Sequence, residues 1–87
     1  MDLFSERLIR LMKSRGVTQK ALAEGIGTSE RLIRYYVAGE KKPEYDNLRS
    51  MAIFLGTSMD YLGGISDDPL TSEERSRRDN ELAAGQD

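Results

Sequence analysis

Cysteine and histidine are both absent from this chain. That excludes disulfides, zinc sites of the Cys/His type, cysteine nucleophiles and histidine general bases. A chain without cysteine fits a reducing compartment, and a cytoplasmic location is the expectation. No apolar run approaches the length of a membrane span, so no membrane association is expected. Met1–Ser14 is amphipathic and charged and does not read as a signal peptide. No stretch alternates with period two for long enough to form a strand, and there is no internal repeat or low-complexity tract. Also missing are a nucleophile–base pair, a metal-ligand set and a phosphate-cradling glycine loop. Gly25-Ile26-Gly27 reads as a turn and not as a dinucleotide fingerprint. An enzyme is the poorest reading, and no cofactor or metal is expected.

What is present is one small domain and a tail. The chain has 87 residues, of which 38% are hydrophobic and 32% charged. That is apolar material for one modest core under a heavily charged surface. The net charge of −2 conceals an asymmetry: ten Lys/Arg face eight Asp/Glu through residue 63, and three face seven beyond it. A mildly basic domain is thus followed by an acidic tail, and the field of one face matters more than the whole-chain sum.

Apolar spacing predicts five short helices in the first 63 residues. The first runs from Asp2 to Arg15, with Phe4, Leu8, Leu11 and Met12 inward and Glu6, Arg7, Arg10 and Lys13 outward. Thr18 caps a second that reaches about Gly25, and Ser29 caps a third that reaches Ala38. Gly39–Pro43 is a loop. The fourth starts near Asp46 and ends at Gly56, and the fifth spans Ser58 to Leu62. Ile65–Pro69 reads as a linker. Thr71 and Glu74 make a capping-box pattern ahead of a helix over 72–84, which has almost no apolar stripe and is expected to fray unless it docks.

The informative stretch is Gln19–Val37. Two helices joined by a turn of a few residues need a small residue where they face each other, and Ala23 is there. The turn needs left-handed backbone, which Gly27 supplies. Ile33 plugs back under the first helix of the pair, and Leu22, Ile26 and Tyr36 fill the remaining buried slots. This constellation resembles the lambda-repressor-like (Cro/repressor, XRE-type) helix-turn-helix family. The resemblance covers about residues 4–64, through Arg15–Gln19, Leu22-Ala23-Glu24, Ile26–Ser29, Gly39–Pro43, Leu55-Gly56 and Ser58–Leu62. It implies an all-α, compact five-helix domain over residues 1–64 with its helix-turn-helix at about 19–38. Residues 65–87 are then the linker and acidic tail.

The same resemblance implies a sequence-specific regulator of transcription, expected to be a repressor that binds a palindromic operator in double-stranded DNA as a homodimer. Its recognition helix over 29–38 would enter the major groove. Glu30, Arg31, Arg34 and Tyr35 are then the base-contacting candidates. Arg31 suits guanine, Glu30 a cytosine amine, and Tyr35, expected to be exposed, a thymine methyl or a phosphate. Gln19, Ser29, Lys41, Lys42 and Asn47 are the phosphate-contacting candidates. The expected dimer surface is around Met59, Tyr61 and Ile65. A chain this short leaves no room for the ligand-sensing second domain of longer regulators, so any induction is expected to come from another protein or from the tail.

Two departures from that reading are open to test. The acidic tail, Asp67–Asp87, admits an interaction module such as an antitoxin or adaptor, in which a protein partner comes first and DNA second. And where many relatives have a partly buried arginine–glutamate pair, this chain has Met12 and Val37. Replacing both charges leaves neither stranded, so the two side chains are expected to touch and pin the first helix to the third.

Overall fold

The computed structural model describes residues 2–84, so residue 1 and residues 85–87 of the two expected segments lie outside it. The fold is all-α: α1 (Leu3–Arg15), α2 (Gln19–Ile26), α3 (Glu30–Ala38), α4 (Tyr45–Leu55), α5 (Met59–Leu62) and α6 (Ser72–Ala84). Among the described residues there is no strand, and no helix is long and apolar enough to cross a membrane.

Local chemistry sets the boundaries. Asp2, Thr18, Ser29 and Ser58 each accept a hydrogen bond from the backbone N–H three residues on, the ordinary N-cap bond. Helices α1 to α4 each end on a left-handed glycine whose N–H bonds back to the last turn. Helix α2 runs on to Ile26, so Gly25 lies inside its last turn and only Gly27 makes the turn. The reason for a glycine at 25 is packing: a Cβ there would overlap the Phe54 ring of α4. Helix α4 starts at Tyr45, one residue before the expected Asp46, and its N-cap Glu44 makes no side-chain cap.

Leu8, Leu22, Ile33, Met51, Leu55 and Leu62 are fully buried and join α1 to α5 in one core. Helix α2 packs on α3 and α4, and α1 packs on α3, α4 and α5. Phe4 meets Tyr36 edge-on with ring centroids 5.9 Å apart, and Ser5 Oγ donates to the Tyr36 carbonyl at 2.9 Å. Met12 is buried and Val37 half-buried against the same core.

Other expectations change as well. Arg7 is not on the solvent face: it is buried at 8% exposure, its guanidinium 4.3 Å from the centre of the Tyr61 ring. It donates to the carbonyls of Tyr61 and Ser66 and to the Asp67 carboxylate. The stretch after α5 is therefore a strap, not a free linker. Thr57 Oγ1 adds a 2.8 Å bond to the Pro69 carbonyl. Tyr61, under Arg7, is buried and removed from the expected dimer surface. Met59 is half-buried against the core, and Ile65 stands open at 81%. Helix α6 forms as far as Ala84 without docking on any of α1 to α5. Its first turn is held by the reciprocal box: Glu74 N–H donates to Thr71 Oγ1, and Thr71 N–H to Glu74 Oε1.

Candidate nucleic-acid interface

Helices α2 and α3 form the frame. Gly27 turns the chain at φ 74° and Ser29 Oγ accepts from the Leu32 N–H at 3.1 Å. Leu22, Ala23, Ile33 and Tyr36 are buried between α2, α3 and their neighbours. Ile26, expected in a buried slot, is only half-buried because it sits in the last turn beside solvent. With Leu32, Ile33 and Tyr36 turned inward, helical spacing leaves Glu30, Arg31 and Arg34 exposed.

Tyr35 departs from its expected exposure: it is half-buried and forms the ridge between two shallow grooves. Ser29, Arg31 and Lys41 share one groove with it. Gln19 and Arg34 share the other. Arg31 donates to the Tyr35 hydroxyl from Nε at 3.2 Å and from Nη2 at 3.0 Å. Lys41 Nζ lies 5.0 Å from the centre of the same ring. Its backbone is drawn there too, because the Tyr35 carbonyl accepts from the N–H groups of Glu40 and Lys41. Glu30 has no ion-pair partner among the described residues: the four ion pairs all lie elsewhere, on Arg7, Arg75 and Arg78. The helical pairing of Glu30 with Arg34 is not made.

Lys42 does not join Lys41. It borders a cleft with Phe4, Pro43, Leu48 and Gly63, and it helps to hold the Asp2 carboxyl below the usual range, an effect led by the Ser5 N–H bond. Asn47 is also engaged. Its side-chain amide donates to the Tyr36 hydroxyl at 3.0 Å and ties α4 to α3. What α4 still offers an anion is its first-turn backbone, since Glu44 leaves those N–H groups without a side-chain cap. The face that gathers Gln19, Ser29, Arg31, Arg34, Tyr35 and Lys41 therefore carries three cations, with Glu40 lining one of its grooves and Glu30 exposed in the first turn of α3. The tyrosine hub was not legible in the sequence. An Arg and a Tyr four residues apart on one helix were the only signal for it.

A model of a helix-turn-helix family matches residues 8–62. The uncharacterized HTH-type transcriptional regulator YobD of Bacillus subtilis (strain 168) is 37% identical over 73 residues, covering 84% of this chain and 65% of that protein. A second regulator from the same organism, the uncharacterized HTH-type YqaE, is 30% identical over 73 residues, covering 83% of this chain and 63% of its own length. The chain thus spans a little under two thirds of the length of these curated relatives. The crystal structure of a transcriptional regulator from Listeria innocua superposes with a TM-score of 0.67 at 28% identity, covering 97% of this chain and 77% of that one.

Proposed function

The chain belongs to the lambda-repressor-like, XRE-type helix-turn-helix family, and from that premise we propose that it is a sequence-specific regulator of transcription that binds double-stranded DNA. In this reading α3 lies in the major groove. Arg31 and Arg34 read base edges, Glu30 accepts from a cytosine amine, and Gln19, Ser29 and Lys41 fix the phosphates on either side. The α4 amides near Asn47 add a backbone contact. Lys42 reaches phosphate only beyond the edge of this face. The protein acts as a repressor and binds a palindromic operator as a dimer. The observation that carries the reading is the gathering of Gln19, Arg31, Arg34 and Lys41 around the Tyr35 ridge, on the outward side of a helix-turn-helix.

Titration of the protein on duplex DNA at two salt concentrations tests it. Neutralising phosphates releases counterions, so affinity is expected to fall steeply as salt rises. Absence of binding at low salt contradicts the proposal. A second reading is favoured by α6, which is highly charged, packs on none of the other helices and exposes Leu82 at 61%. There the tail engages a protein partner, and DNA binding is weak or missing.

A further inference from the structure

The geometry points to Tyr35 as a positioning residue that selects which edge of the Arg31 guanidinium meets DNA, and thereby makes Arg31 a reader of guanine. This rests on the DNA-binding reading above and goes a step further, to the base and the device that chooses it.

A guanidinium has five N–H donors arranged on two usable edges, the side edge (Nε and Nη2) and the end edge (Nη1 and Nη2). Here the side edge is occupied. Both Nε and Nη2 of Arg31 donate to the one Tyr35 hydroxyl oxygen, at 3.2 and 3.0 Å. The end edge keeps its parallel pair of N–H groups, and no group among the described residues accepts from them. That pair matches the two acceptors, O6 and N7, that guanine alone presents side by side in the major groove. Adenine presents N7 beside an amino donor, which repels the same fork.

The hub is stiffer than the arginine it holds. Tyr35 is half-buried, while Arg31 is exposed and long. The tyrosine ring sits between the Arg31 guanidinium carbon at 5.6 Å and Lys41 Nζ at 5.0 Å, both measured to its centre. The same residue's carbonyl holds the Glu40 and Lys41 amides, so the loop cation is placed by the residue that orients the helix cation. An arginine already oriented in the free protein loses less rotamer freedom when it docks, and the gain goes to the base that fits the presented edge.

The test compares wild-type protein with Tyr35→Phe and Arg31→Ala in selections from a random duplex DNA library, followed by titration of the enriched duplex and its single-base variants. Tyr35→Phe keeps the ring, its packing and its cation contacts and removes only the acceptor. Wild type is expected to prefer guanine about tenfold or more at one position in each half-site, the range of a good bidentate contact. Tyr35→Phe should bring that preference to within about threefold, leaving the other positions and the salt slope unchanged. Arg31→Ala should abolish it. In the free protein, the Arg31 Nε–H signal in 15N NMR should exchange slowly in wild type and rapidly in Tyr35→Phe, with the melting temperature unchanged. The inference is overturned if Tyr35→Phe keeps the full guanine preference that Arg31→Ala loses, or if the Nε–H signal is indifferent to the hydroxyl. If wild type enriches no sequence at all, the DNA-binding reading falls and this inference with it, an outcome distinct from the first two.

Discussion

Arg31 and Lys41 share one tyrosine ring, yet they differ in what they present. Arg31 offers a planar fork, and Lys41 a point charge on a loop. Arg31→Ala should weaken binding by about 1–3 kcal/mol and relax preference at one base position. Lys41→Ala should weaken all sequences alike and reduce the salt slope by about one. Titrations of a matched and a single-base-variant duplex at several salts separate the two effects. Lys42→Ala should change little, because Lys42 borders the Phe4–Leu48 cleft instead. Arg7 shows what the sequence conceals at this scale. Its neighbours Glu6 and Arg10 are exposed as spacing demands, but Arg7 is buried because Tyr61, Ser66 and Asp67, more than fifty residues away, supply its acceptors. No local pattern encodes partners so distant. Arg7→Ala removes the charged donor from the Tyr61 carbonyl, which keeps only a backbone N–H bond from Gly64, and frees the strap. It should cost about 1–3 kcal/mol in denaturant unfolding.

At the scale of elements, the caps were legible because a cap is a bond between residues three apart. Thr18 and Ser29 read as caps from the sequence and each makes its bond, as do Asp2 and Ser58 at the starts of the first and fifth helices. Glu44 was not foreseen because α4 begins without such a bond. Val37 on α3 is half-buried against the core that holds Met12 of α1. Val37→Glu should destabilise strongly, since burying a lone charge is costly, and Met12→Arg with Val37→Glu should recover part of the loss. A double-mutant cycle by thermal or denaturant unfolding measures the coupling, and additive effects would show that the two positions do not pin the helices together. Helix α6 carries a pH prediction. The Thr71 N–H and hydroxyl hold the Glu74 carboxyl below its ordinary value, and the Leu70 N–H does the same for Asp68, with Arg78 and Arg75 adding to it. A lowered folded value means that stability is fully present above the ordinary carboxylate range and is lost as pH falls below that range and through the lowered value. Backbone chemical shifts over 72–78 should therefore stay helical at neutral pH and move toward coil below about pH 4, and Glu74→Ala should show coil shifts at every pH.

At the scale of the whole molecule, helix α6 packs on none of the other helices and is itself nearly balanced, four carboxylates against three arginines, while Asp67 and Asp68 of the strap are paired with Arg7, Arg75 and Arg78; the molecule extends 52 Å along its longest axis but only 23 Å across. After Arg7 has covered Tyr61, an open Ile65 and the exposed Leu3, which lies against Gly64, are apolar residues left at this end of the domain. The proposed dimer is therefore centred there, and Ile65→Asp should abolish cooperative binding to paired half-sites while leaving affinity for a single half-site intact. Of the three expected apolar residues, Tyr61 is covered through the strap, whose long-range bonds left no mark on local periodicity, and Met59 is packed against the core, which leaves Ile65.

In the proposed function, α3, presented by α2 and the Gly27 turn, reads base sequence in duplex DNA. The most direct test is selection from a random duplex library by wild-type protein and by Arg31→Ala in parallel, with the bound pools sequenced. The account predicts an enriched inverted repeat whose half-sites lie about one helical turn, roughly 34 Å, apart, with a guanine in each that Arg31→Ala no longer requires. A wild-type pool as random as the input, or one identical to that of Arg31→Ala, would contradict it.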